Sequence, residues 1–119
     1  MIASFRELAA WTQKSQRPDG LWSCFVDEAG TPADTAGSAG IGAALAIGAH
    51  EGWLRTDALA AAQRCRRRLV AHLTPDGFLG GVAQASEGGE SLQRGDYRVI
   101  YQMGMGLFAQ LLATLNQDT

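Results

Sequence analysis

The sequence predicts an all-α fold of two helical hairpins, with four main helices in one domain, and three observations carry that reading. Two segments place apolar residues at helical spacing with charges on the opposite face. Two others are long, glycine-bearing and almost free of charge. A Pro-Asp-Gly turn follows each amphipathic segment, so the whole pattern occurs twice. At 119 residues, with 46% hydrophobic and 18% charged residues, the chain has the length and composition of a single globular domain.

The first helix is expected from Ser4 to about Gln16. Ser4 and Glu7 have the spacing of a capping box. Phe5, Leu8, Trp11 and Thr12 share one face, and Arg6, Glu7, Gln13 and Lys14 take the other. Pro18-Asp19-Gly20 stops this helix. A short extended stretch, Leu21 to Val26, leads into a loop through Glu28 and Pro32. The second helix runs from Asp34 or Thr35, either of which can cap it, to His50 or Glu51, with Gly52 just beyond its end. Between Ala36 and Ala49 it carries no charge.

The third helix starts near Thr56 and ends near Leu73. Leu59, Ala62, Leu69, Val70 and Leu73 form its apolar stripe, while Arg64, Arg66, Arg67 and Arg68 lie mainly outside it as a solvated face. Pro75-Asp76-Gly77 ends it, and a glycine-rich loop runs from Phe78 to Gly95. The fourth helix, about Tyr97 to Asn116, is apolar on nearly every side. The two repeats are therefore about 4–52 and 54–116. Six glycines fall inside helices (Gly37, Gly40, Gly42, Gly48, Gly104 and Gly106). Each costs about 1 kcal/mol relative to alanine, which points to close backbone packing.

Two amphipathic helices can shield only one flank of two helices that are apolar all round. The uncovered remainder predicts self-association, a dimer being the commonest symmetric solution and a trimer the alternative. A net charge of −2 argues against nucleic acid and membrane surfaces as partners. Arg6 and Glu7 stand where a signal peptide needs its apolar run, and no stretch resembles a membrane span. Cys24 and Cys65 lack any metal-ligand or redox spacing, which suggests two reduced thiols in a cytoplasmic protein, with one disulfide as the alternative. His50 and His72 each end a helix, and no ligand pattern joins them. The loop holding Gly80-Gly81 and Gly88-Gly89 lacks the Lys-Ser/Thr of a phosphate loop. Neither a metal nor a cofactor is expected.

Several pieces taken together resemble the second half of glycoside hydrolase families 88 and 105, the unsaturated glucuronyl and rhamnogalacturonyl hydrolases. They are Asp19-Gly20-Leu21-Trp22, Asp34-Thr35-Ala36-Gly37-Ser38-Ala39, Asp76-Gly77-Phe78-Leu79-Gly80-Gly81-Val82, Tyr97-Arg98, and Met103-Gly104-Met105-Gly106-Leu107. The resemblance implies an (α/α)6 toroid of which this chain is the last third. It also implies a reaction in which an aspartate protonates the double bond of a 4,5-unsaturated uronic acid, water adds, and the hydrated ring opens. In the family, earlier repeats supply that aspartate, so no catalytic role maps onto any residue here; the alternatives are a hydrolase pocket rebuilt by oligomerisation, with Asp34 or Asp96 as acid, and a carbohydrate- or protein-binding helical module.

Six residues are candidates for sugar contact. Trp22 can stack on a pyranose or plug the end of the helix pair. Asp34 and Asp96 each precede an apolar helix, as an acid–base pair at one mouth or as two helix caps. Ser38 belongs to the same motif as Asp34. Tyr97 and Arg98 can bind a uronate carboxylate, or Arg98 can pair with Glu87, Glu90 or Asp96. A uronic-acid-containing sugar is the ligand class these residues suggest.

Overall fold

An inner helix, α2 (Thr35–His50), lies between α3 (Thr56–Val70) on one flank and α5 (Gln102–Leu115) on the other, and α1 (Ile2–Lys14) packs beside α3. The computed structural model describes residues 1–83 and 89–116. Its all-α architecture is two helical hairpins, α1–α2 and α3–α5, with the amphipathic helices in one layer and the apolar ones in the next. The segment read as an irregular glycine-rich loop contains two further elements. These are a strand β1 (Val82–Ala83) and a one-turn helix α4 (Glu90–Arg94). A second strand, β2 (Arg98–Val99), pairs antiparallel with β1 in the register Val82↔Val99 and Ala83↔Arg98.

Small side chains on α2 set its distance from both neighbours. A Cβ on Gly42 would meet Cys65 Sγ of α3 at 3.3 Å and the Leu111 side chain of α5 at 3.3 Å. One on Gly48 would lie 2.6 Å from Leu54 and 2.8 Å from Phe5. The helix propensity lost at these glycines is offset by the approach they permit. Ala39, Ala43, Leu45 and Ala46 of α2 join Ala58, Ala61, Ala62, Cys65 and Leu69 of α3 and Phe108, Leu111 and Leu115 of α5 in one core.

Four expectations are corrected. First, α1 begins at Ile2 without a side-chain cap, so Ser4 lies within the helix and the Ser4–Glu7 capping box is not formed. Second, the buried residues of α1 are Ala9 and Thr12, while Leu8 and Trp11 stay 59% and 46% exposed. Leu8 instead lines a small concavity with Phe5, Ala9 and Thr12, opposite Ile41, Ala44 and Leu45 of α2. Third, α3 ends at Val70, short of Leu73.

Fourth, the last helix begins at Gln102 rather than Tyr97, because the pairing of β2 with β1 holds Arg98 and Val99 extended. Gly104, Phe108, Leu111, Thr114 and Leu115 face the core, whereas Met103, Gly106, Ala109, Gln110 and Ala113 are exposed. The shortage of cover therefore does not fall on both apolar helices. α2 is enclosed except at Ala44 and a few half-buried positions, and the open surface lies on α5 and α1.

Candidate functional site

The six candidate sugar-contact residues all belong to segments at the N-terminal end of α2. Asp34 is the hub there. Its Oδ1 accepts from the backbone N–H of Ala36 at 3.2 Å and of Ala83 at 2.9 Å, and its Oδ2 from Gly37 at 3.1 Å. One carboxylate thus caps α2 and ties strand β1 to it. Thr35 repeats the link, donating from Oγ1 to the Gly80 carbonyl at 2.7 Å and from its N–H to Gly81 O at 3.1 Å.

Arg98 closes the circuit from the other side. β1–β2 pairing sets it opposite Ala83. Its guanidinium donates to the carbonyls of Ala33 (2.9 Å), Gly95 (3.0 Å), Tyr97 (2.7 Å), Pro32 (3.3 Å) and Gln93 (3.1 Å). The sequence suggested a carboxylate partner for Arg98; among the described residues its partners are backbone carbonyls. Among the three acids considered, Glu90 accepts from Arg94, Asp96 is exposed, and Glu87 lies outside the described residues.

Trp22 is 1% exposed, and its indole N–H donates to the Thr12 carbonyl at 2.8 Å. Ser38 is fully buried; its Oγ accepts from Trp22 N–H at 2.8 Å and donates to Trp22 O at 3.3 Å. These two join the first loop to α2 inside the core, with no face turned to solvent. Asp96 does not cap α5: that position belongs to Tyr101, which makes no side-chain cap bond. Asp96 is exposed and Tyr97 is 51% exposed, so these two are available at the mouth.

Sequence reasoning missed Arg94. It pairs with Glu28 at 3.0 Å and with Glu90 at 3.1 Å, and its guanidinium lies 4.2 Å from the centre of the Phe25 ring. Only its i,i+4 spacing from Glu90 was a visible signal. Cys24 lies within reach of this field. Burial pushes its thiol pKa up and the Asp34 carboxylate adds to that, against an opposing pull from Arg98 and Arg94. Cys65, whose thiol donates to Ser38 O at 3.3 Å, is pushed up to about 12, chiefly by burial. Both cysteines are free.

A concave region at the other end of α2 was also missed. Beyond the C-terminal end of α2, a cleft of about 450 Å³ opens between α1 and the turn into α3, lined by Arg6, Gln13, Trp53, Leu54, Arg55 and Asp57 among others. Trp53 follows Gly52 in a turn with no recognisable motif, so nothing in the local pattern announces it.

The sequence profile of glycosyl hydrolase family 88 matches residues 1–116. Solved structures agree in fold. A possible member of glycoside hydrolase family 105 from Klebsiella pneumoniae superposes with a TM-score of 0.89 at 16% identity, over 99% of this chain and 32% of its own. A family 88 glycosyl hydrolase from Bacteroides vulgatus gives 0.76 at 22% identity, over 98% and 34%. A polysaccharide lyase gives 0.74 at 27% identity, over 98% and 33%. The chain thus spans about a third of the length of these structures. No curated protein is significantly similar in sequence. Among the described residues, no helix is long and apolar enough to cross a membrane.

Proposed function

The chain belongs to glycosyl hydrolase family 88, and from that premise we propose that it is a two-hairpin portion of an unsaturated uronyl hydrolase fold, without independent catalysis, that associates with further copies of itself. Hydration of a uronate double bond needs a carboxylic acid free to hand over a proton. The observation that carries the reading is that both oxygens of Asp34 are engaged by three backbone N–H groups. Such a carboxylate is a structural acceptor. Asp96, in turn, is exposed to solvent and does not sit in an enclosed pocket. A uronic-acid-containing sugar remains the ligand class, met by Tyr97 at the mouth. Two free thiols fit a cytoplasmic setting.

The direct test follows the ultraviolet absorbance of an unsaturated uronyl disaccharide incubated with residues 1–119. The expected result is no loss above a buffer blank. Turnover that disappears in Asp34→Asn or Asp96→Asn would overturn the reading. Self-association is supported by exposed apolar side chains in two separate regions: Ile2, Leu8 and Trp11 on α1, and Ile100 just before α5 with Met103 in its first turn. Light scattering should give a multiple of the 12.6 kDa chain mass, a dimer being favoured. A monomer at micromolar concentration contradicts this part alone.

A further inference from the structure

We propose that the cleft between α1 and the α2–α3 turn is a binding site for an acidic pyranoside, with Trp53 as its stacking platform. The site is beyond the C-terminal end of α2, at the other end of the helix from Asp34, and does not rest on the catalytic reading of the mouth. Both of its walls come from described elements of one chain: Arg6 and Gln13 from α1, Trp53 and Leu54 from the turn, and Arg55 and Asp57 from the start of α3.

Trp53 is 39% exposed but firmly held. Its ring meets Phe5 edge-on, with centroids 6.3 Å apart and planes at 88°. Its carbonyl accepts from Arg6 Nε at 2.7 Å, and its N–H donates to the Gly48 carbonyl at 2.9 Å. An indole on a backbone tied at both its N–H and its carbonyl, with one edge against Phe5, has less side-chain freedom to lose when a ligand covers it. It offers the flat apolar surface against which the C–H face of a sugar ring packs. A volume of about 450 Å³ falls within the range of small-ligand sites.

The polar rim decides the ligand class. Arg55 enters no ion pair among the described residues, and Arg6 spends its Nε on a carbonyl, so two cations face the single carboxylate of Asp57. Guanidinium groups match a carboxylate, while the Gln13 amide and the Asp57 carboxylate can take sugar hydroxyls. A neutral sugar would use the ring and the amide and leave the cations unanswered. A uronate adds the carboxylate that a guanidinium of this rim can take.

Digalacturonic acid titrated into residues 1–119, followed by calorimetry and tryptophan fluorescence, tests the proposal, with a neutral digalactoside run in parallel. Saturable binding of the acidic sugar is expected, and weaker binding of the neutral one. Trp53→Ala and Arg55→Gln should each weaken the acidic sugar by about tenfold, with Trp53→Phe retaining most of the affinity. Arg55 is exposed, so Arg55→Gln decides the matter even if Trp53→Ala fails to fold, as judged by circular dichroism. The proposal is overturned by no saturation, by equal affinity for the neutral sugar, or by unchanged affinity in Arg55→Gln. It is equally overturned if Tyr97→Ala abolishes binding while the Trp53 and Arg55 variants do not, because the sugar then sits at the mouth.

Discussion

The two hairpins start from nearly the same words and end in different structures. Pro18-Asp19-Gly20-Leu21 and Pro75-Asp76-Gly77-Phe78 both turn the chain out of an amphipathic helix, and Gly20 and Gly77 both take positive φ, at 95° and 91°. Yet the first turn rests on α3, where a Cβ at Gly20 would meet the Arg64 carbonyl at 2.8 Å, whereas one at Gly77 would point into open space. Leu21 is fully buried, whereas its counterpart Phe78 is 47% exposed. Asp34 caps its helix and Asp96 does not. A repeat in sequence fixes local turn geometry; burial depends on which neighbours the turn finds.

Pairwise substitutions test that contrast, the largest effect coming first. Leu21→Ala should cost about 2–5 kcal/mol of unfolding free energy in urea, and Phe78→Ala about 1 kcal/mol or less. Similar losses at both positions would mean that the second turn is covered in solution. Asp34→Ala removes a helix cap and strands the Ala83 N–H, for an expected loss of about 2–3 kcal/mol. Asp96→Ala should stay within about 0.5 kcal/mol, and a larger loss there would restore its role as a cap.

Gly20→Ala adds a clash with the Arg64 carbonyl to the penalty of positive φ, for about 2 kcal/mol or more, against about 1 kcal/mol for Gly77→Ala. Equal melting shifts would remove the contact between the first turn and α3. The smallest effect is read as a rate. Cys65, raised to about 12, should resist a thiol reagent at neutral pH until the fold opens, and Cys24 should react first. The unfolded thiol ionises near its ordinary 9.0 while the folded one holds its proton. The Cys65 contribution to stability is therefore complete below pH 9.0 and declines as pH rises towards 12. Faster labelling of Cys65 than of Cys24 would contradict the burial.

Much of this fold was legible because its determinants are local. Helical periodicity located α1 and α3, an uncharged run located α2, and an aspartate placed just before that run capped it as read. The start of α5 was not legible. Val99 and Ile100 continue an apolar helical pattern, and only pairing with Val82, far back in the sequence, holds Arg98 and Val99 extended. The site divides in the same way. Asp34 caps through neighbours in sequence, Ala36 and Gly37, so its place just before an uncharged run is enough to suggest that role. Arg98 serves carbonyls as distant as Pro32 and Ala33, and the Trp53 cleft needs α1 beside it. No window of sequence contains either arrangement.

The placement of α2 puts the repeat in the sequence and the packing of the helices out of step. The repeated text divides between Gly52 and Leu54, yet α2, written in the first half, gives both its flanks to helices written in the second. Severing the chain at the textual boundary would leave that rod wet on two sides and its former neighbours without a centre. A protein built this way can gain or shed material only in steps that leave each such rod clasped between its successors.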